Sequence, residues 1–82
     1  MNKSEILQAI LAILEKDFEI NAVCNADTSL VEEEILDSMD WIGFLGKIEE
    51  KFQIIISIED TNKYQLAIIQ NLVDYLQRSI DV

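Results

Sequence analysis

Ser38 directly follows Asp37 and opens a run in which apolar residues recur every three or four positions, Met39, Ile42, Leu45, Ile48 and Phe52. That spacing predicts a helix with Asp37 as its N-cap and Ser38 in its first turn. N–H groups in a first turn have no intrahelical acceptor and lie at the positive end of the helix dipole, so a hydroxyl there is well placed to carry a phosphate ester. The serine is suited to being modified rather than to attacking on its own. The chain has no His, and His is the usual activator of a Ser or Cys nucleophile. An unmodified serine is equally at home in a first helical turn, and residue types alone leave both readings open.

Other candidate chemistry is weaker. Cys24 is the single cysteine; it excludes an internal disulfide and reads as a small, at least half-buried side chain. Glu32-Glu33-Glu34 has neither the alternating ligands nor the central Gly of a calcium loop and reads as a solvated face. Gly43 and Gly46 both fall inside the helix after Ser38, so no glycine-rich loop precedes a helix to cradle phosphate. A carboxylate pair for glycoside hydrolysis would need a deep cleft, which so thin a domain can hardly form. No metal site is expected, and the chain is not expected to be an enzyme.

The elements that must position Ser38 follow from periodicity. Leu7, Leu11, Leu14 and Phe18, widened by Ile6, Ile10 and Ile13, predict a helix from about Lys3 to Phe18, capped by Asn2 or Ser4. Glu19 to Leu36 has no helical period. It is a long loop rich in turn formers, able to hold a short helix, with Leu30 and Val31 as anchors to the core. The helix from Asp37-Ser38 to about Phe52 comes next, with Gly43 and Gly46 on its outward side and Trp41 on a face that the core stripe leaves partly exposed. Ile54-Ile55-Ile56 has no partner strand and reads as a connection plugging the core. Ser57-Ile58-Glu59-Asp60 marks a short helix. Ile69, Leu72, Val73, Leu76 and Ile80 mark a last one over 68–79, whose start has no capping side chain. The expected fold is all-α: a bundle of three principal helices plus one short helix, with the long loop between helices one and two, in a single domain over 1–82.

Composition narrows the class. Of 82 residues half are hydrophobic, enough for a small core, and 16 acidic against 6 basic residues give a net charge of −10. That charge opposes binding to nucleic acid or to anionic membranes and favours basic protein partners. Ile6 to Leu14 after Lys3 faintly resembles a signal peptide, but Gln8 interrupts it and Glu15-Lys16-Asp17 stands where a cleavage site should be. With no apolar stretch long enough to span a bilayer and a lone cysteine, the expectation is a soluble cytoplasmic protein.

Ile35-Leu36-Asp37-Ser38-Met39-Asp40, followed by Ile42, Phe44, Leu45, Ile48-Glu49-Glu50 and Phe52, resembles the acyl carrier protein family. Its Asp-Ser-Leu motif opens helix two, and the Ser receives 4′-phosphopantetheine from coenzyme A. Asp37-Ser38-Met39 stands in for that motif. The resemblance extends over most of the chain: an apolar first helix, a long loop with Leu30, Ile56 and Ile58 about the next turn, and Leu72-Val73-Asp74-Tyr75-Leu76 in the last helix. Many fatty-acid carriers have Gly two residues before the Asp, where this chain has Ile35. Ile-Leu-Asp-Ser is more similar to freestanding carriers of specialised pathways and to D-alanyl carrier proteins. Family members commonly carry Glu and Met for docking where Gly43 and Gly46 stand.

The resemblance implies that a phosphopantetheinyl transferase attaches the group to Ser38 using Mg²⁺, beside Asp37. The arm's thiol then holds an acyl group as a thioester for a loading ligase and downstream transferases of a fatty-acid, polyketide or other specialised pathway. An aminoacyl cargo, D-alanyl or peptidyl, and an unmodified helical interaction module are the alternatives. Between Asp27 and Asp60 ten acidic and two basic residues leave −8 of the chain's −10 around Ser38, a field that steers basic enzyme patches. Asp37, Asp40, Glu49 and Glu50 are the expected docking edge, with Trp41 as a partner-specific anchor. Strong negative charge and transient partnering favour a monomer.

Overall fold

The computed structural model describes residues 1–21 and 25–80, which leaves the reading of Cys24 outside the described residues. Among the described residues four helices follow in order: α1 Lys3–Phe18, α2 Ser38–Phe52, α3 Ile58–Lys63 and α4 Ile69–Ile80. α1 begins with a capping box. Asn2 Oδ1 accepts from Glu5 N–H at 2.8 Å, and Glu5 Oε1 accepts from Asn2 N–H at 3.1 Å. It ends at Glu19, whose left-handed backbone (φ 56) lets the next N–H, of Ile20, reach back to Leu14 O at 3.0 Å.

α1 packs against both α2 and α4. The interior is filled by Ile6, Ile10 and Leu14 of α1, Phe44 and Ile48 of α2, Ile69, Leu72, Val73 and Leu76 of α4, and Leu30, Leu36, Ile56 and Leu66 from the connections. On α1 the deepest line is thus Ile6-Ile10-Leu14, while Leu7, Leu11 and Phe18 flank it half-buried.

The stripe expected on α2 needs correction. Met39 is 83% and Ile42 70% exposed, whereas Phe44 and Ile48 are fully buried with Trp41, Leu45 and Phe52 half-buried beside them. The reason is angular. At 3.6 residues per turn a three-residue step falls about 60° short of a full turn, so 39, 42, 45 and 48 drift around the helix. Spacings of three and four, as in Trp41, Phe44, Leu45, Ile48 and Phe52, stay on one side. Gly46 has open space where a Cβ would stand, and Gly43's would make only ordinary contact with the Phe18 ring at 3.7 Å. Neither glycine has a positive φ, so nothing in the fold requires them. Gly46→Ala is expected to stabilise the protein by about 1 kcal/mol, read as a higher urea midpoint at unchanged slope.

The long loop is tied to the start of α4. Leu30 N–H donates to Ala67 O at 2.8 Å, Ile69 N–H to Thr28 O at 3.0 Å and Gln70 N–H to Ala26 O at 3.0 Å, with a single bridge pairing Ser29 and Ile68. These carbonyls do for α4 what a capping side chain would have done. Within the loop Ser29 Oγ accepts from Glu32 N–H at 3.2 Å and Glu33 Oε2 from Ser29 N–H at 2.8 Å. The acidic run is solvent-exposed, as expected, but Glu33 also closes this turn. Leu30 is a buried anchor; Val31 is not, being 38% exposed. In the connection after α2, Ile56 is buried and Ile54 half-buried, whereas Ile55 points outward at 90% exposure.

α3 is capped by Ser57, whose Oγ accepts from Asp60 N–H at 3.0 Å. Across to α4, Tyr75 OH donates to Asp60 Oδ2 at 2.8 Å. Burial, then this carboxylate, pushes the Tyr75 hydroxyl up to about 12 from its usual 10. A raised tyrosine pKa means that the native state holds the proton more tightly than the unfolded chain. The contribution is complete below pH 10 and is lost as pH climbs through 12. Between pH 9 and pH 11.5 the urea midpoint is expected to fall more in the wild type than in Tyr75→Phe.

Candidate functional site

Ser38 stands at the first position of α2 after Asp37, whose extended backbone (φ −78, ψ −179) and side chain form the N-cap. Asp37 Oδ1 accepts from Asp40 N–H at 2.7 Å and Asp37 O from Trp41 N–H at 2.8 Å. Only the forward half of a capping box forms among the described residues. Ser38 is solvent-exposed, and its hydroxyl makes no hydrogen bond within the described residues. The N–H groups of Ser38 and Met39 face out of the helix start with no intrahelical acceptor. An exposed, uncommitted hydroxyl beside free N–H donors fits a phosphodiester.

The approach to this turn is also set by the loop. Just before the turn the left-handed residue is Glu34 at φ 57, whereas Ile35 is not in that region. The missing glycine at 35 therefore has no backbone cost, and Ile35 instead packs half-buried against the core. Leu36, 1% exposed, anchors the chain immediately before the cap.

Asp37, Ser38, Asp40 and Trp41 share one turn. Glu49 and Glu50 lie about 16 Å further along the helix axis, so these positions span the length of α2. Asp40 and Glu50 are exposed. Glu49 is half-buried, and its Oε2 accepts from Ile56 N–H at 2.8 Å. Trp41 stacks on Phe44 with ring centroids 5.8 Å apart and forms one wall of an open groove of about 280 Å³, whose other walls include Ser29, Val31, Thr61, Gln65 and Ile68. Trp41 is therefore half-buried, and its ring has a structural contact as well as an exposed side. Exposed Met39 and Ile42 add an apolar face beside Ser38 that a stripe read by threes assigns to the core; plotting positions at 100° per residue would have found it.

An acidic helical bundle that presents a capped, exposed serine at the head of its second helix is built as a carrier domain. The model of the phosphopantetheine attachment site family matches residues 6–76, and the chain belongs to that family, whose domain is the site of covalent 4′-phosphopantetheine attachment. A relative is the D-alanyl carrier protein of Staphylococcus xylosus, 32% identical over 74 residues that cover 89% of this chain and 95% of the relative. No solved structure matches. The acyl-carrier fold expected from the resemblance is the fold found, and the protein is a carrier rather than an enzyme. Among the described residues no helix is long and apolar enough to cross a membrane.

Proposed function

We propose that Ser38 bears the 4′-phosphopantetheine and that its cargo is an aminoacyl group of the D-alanyl kind. The observation that carries the first part is the exposed Ser38 hydroxyl at the head of α2, unengaged beside the Asp37 cap. The second part rests on the D-alanyl carrier relative, which favours the aminoacyl alternative over a fatty-acid or polyketide cargo. When attached, the group supplies a flexible thiol that holds the cargo as a thioester. The chain's own residues hold and present it. Asp37 fixes the turn, first-turn N–H groups offset the phosphate charge, and tethering raises the cargo's effective concentration at each partner's site.

Partners are a phosphopantetheinyl transferase, a loading ligase and a downstream transferase, met in the cytoplasm by a monomer. Asp40 and Glu50 form an acidic rim, Met39 and Ile42 an apolar centre, and Trp41 the anchor. Asp37 and Glu49 serve that edge by holding the ends of α2 in place. Charge reversal, Asp40→Lys with Glu50→Lys, is expected to lower kcat/KM for modification about tenfold at low salt and less at high salt, with the urea midpoint nearly unchanged. An unaltered kcat/KM would move the docking edge elsewhere.

The reading is tested by incubating the apo protein with coenzyme A, Mg²⁺ and a broad-specificity transferase, then following intact mass. The holo product is next offered to a D-alanine-activating ligase and, separately, to a fatty-acyl ligase. Loading by the first alone supports the aminoacyl carrier; loading by the second alone overturns that cargo while keeping the site.

A further inference from the structure

With 16 acidic and 6 basic residues, a cation in this chain has abundant carboxylates to pair with. Lys3 does so, meeting Asp74 at 2.9 Å. Lys63 and Arg78 do not. Both are exposed, and among the described residues neither makes an ion pair. Instead they converge on one ring, with Lys63 Nζ 5.3 Å and Arg78 Cζ 5.5 Å from the Tyr64 centroid. The carboxylates that line the clefts around Arg78 are already engaged, Asp60 by the Tyr75 hydroxyl and Asp74 by Lys3. Lys63 and Arg78 stand in the last turns of α3 and α4, where a cation suits the helix dipole. Lys16 stands likewise in α1, so the dipole accounts for each position singly and not for two cations meeting at Tyr64. Their support is firm. Buried Ile56 and Leu66 anchor the chain on either side of α3, and the Tyr64 ring lies 5.6 Å from that of Tyr75, on a helix fixed by Leu72, Val73 and Leu76.

We infer that Lys63, Tyr64 and Arg78 form a second docking surface, opposite in sign to the α2 edge, for an acidic segment of a partner protein. A guanidinium and an ammonium side by side receive carboxylates in charge-assisted hydrogen bonds, and the exposed side of the Tyr64 ring adds apolar contact. A net charge of −10, with Asp60 and Asp74 lining the same clefts, repels a dense polyanion such as nucleic acid or an anionic membrane. A second copy would bring another −10. A folded partner whose basic patch meets α2 and whose carboxylates meet α3 and α4 satisfies both signs. Two contacts of opposite sign also fix a partner's orientation, which one charged edge alone does not. On the carrier reading above, this partner is the ligase that loads the arm. A phosphopantetheinyl transferase must close on the Ser38 hydroxyl itself, whereas a ligase needs only the thiol at the end of a flexible arm and is free to dock on surfaces other than α2.

The test uses the full chain as wild type, Lys63→Gln, Arg78→Gln, the double variant and Lys16→Gln, a control that removes one cation from the last turn of α1. Modification by the transferase and loading by the ligase are measured separately as kcat/KM. The double variant is expected to load about fivefold less efficiently at low salt and to lose less at high salt, while its modification is unchanged or faster. The field of the chain alone predicts the opposite sign for loading, because a protein with fewer cations attracts a basic enzyme more strongly. Loading that is unchanged or faster in the double variant overturns the surface, as does an equal loss in Lys16→Gln. A polyglutamate peptide is also titrated into the wild type and followed by amide NMR shifts. The amides of Tyr64 and Ser79 are expected to move in the wild type and to stay in place in the double variant. Equal shifts with inorganic phosphate would replace the protein partner by a small anion, and a dimer in sedimentation that the double variant abolishes would replace it by a second copy; either overturns the proposal. Absence of a phosphopantetheine mass gain would remove the carrier reading and leave the peptide titration to decide the surface alone.

Discussion

Ser38→Ala will abolish the phosphopantetheine mass gain completely while leaving the unfolding free energy, from urea titration, within about 0.5 kcal/mol of wild type. The second half gives the first its force. Ser38 is exposed and its hydroxyl holds no bond among the described residues; the cap belongs to Asp37, which stays. Loss of loading thus cannot be loss of fold. The chain has four other serines, and three are committed. Ser29 is buried and accepts from Glu32 N–H, Ser57 caps α3 and Ser79 Oγ donates to Tyr75 O at 2.9 Å. Ser4 is the discriminating control. It is exposed in the first turn of α1, so a helix start alone would not distinguish it from Ser38. It lacks the acidic surroundings and the apolar face of Met39 and Ile42. Ser4→Ala should load as wild type does; a mass gain that survives Ser38→Ala and disappears in Ser4→Ala would relocate the site. The same intact-mass and urea measurements decide both.

The helices were readable from sequence because each carries both a period and an end signal. Asn2 with Glu5, Asp37 with Asp40 and Ser57 with Asp60 mark starts that local chemistry alone determines. α4 is the instructive exception. Its N–H groups are satisfied by carbonyls of Ala26 and Thr28, residues some forty positions away in sequence, and no local pattern records that. The same limit applies to α2. A helical stripe tells which residues share a face only to within the angular drift of its spacing, and a partner element decides which face is covered. α1 covers the side of Phe44 and Ile48, so Met39 and Ile42 remain outside despite their hydrophobicity.

At the site, the Asp37 cap and the exposed position of Ser38 were readable because both are first-turn properties. The environment was not. Glu49 reads in sequence as one more surface carboxylate, yet it spends an oxygen on Ile56 N–H seven residues on. Trp41 reads as a surface anchor, yet its ring stacks on Phe44 and walls a groove shared with the loop and α3. Both are tertiary facts, since each depends on where a connection with no period of its own comes to rest. The absent glycine at 35 reads as a departure from the fatty-acid carriers, but the left-handed turn is supplied one residue earlier by Glu34.

The largest loss of stability is expected from Phe44→Ala. Phe44 is fully buried at the junction of α1 and α2, edge-on to Phe18 at 6.1 Å and stacked with Trp41 at 5.8 Å. Removing a buried Phe ring costs about 3–5 kcal/mol, from lost transfer energy and the cavity left behind. A domain of this length has a total of about 4–12 kcal/mol at roughly 0.05–0.15 kcal/mol per residue. The substitution therefore removes a large part of the margin and leaves a measurable unfolded fraction at moderate temperature. It also withdraws the surface on which Trp41 rests, so tryptophan emission should shift to the red in the fraction that remains folded. Phe44→Leu retains most of the volume and should cost less than half as much. Urea titration followed at Trp41, with far-ultraviolet circular dichroism alongside, separates the two effects: dichroism reports helix lost, emission reports the ring released. Modification of Ser38 should fall by more than the unfolded fraction, because Trp41, the proposed docking anchor, loses the ring on which it rests. A Phe44→Ala protein that lost less than about 1 kcal/mol would mean that α1 and α2 are held together elsewhere than at this aromatic contact.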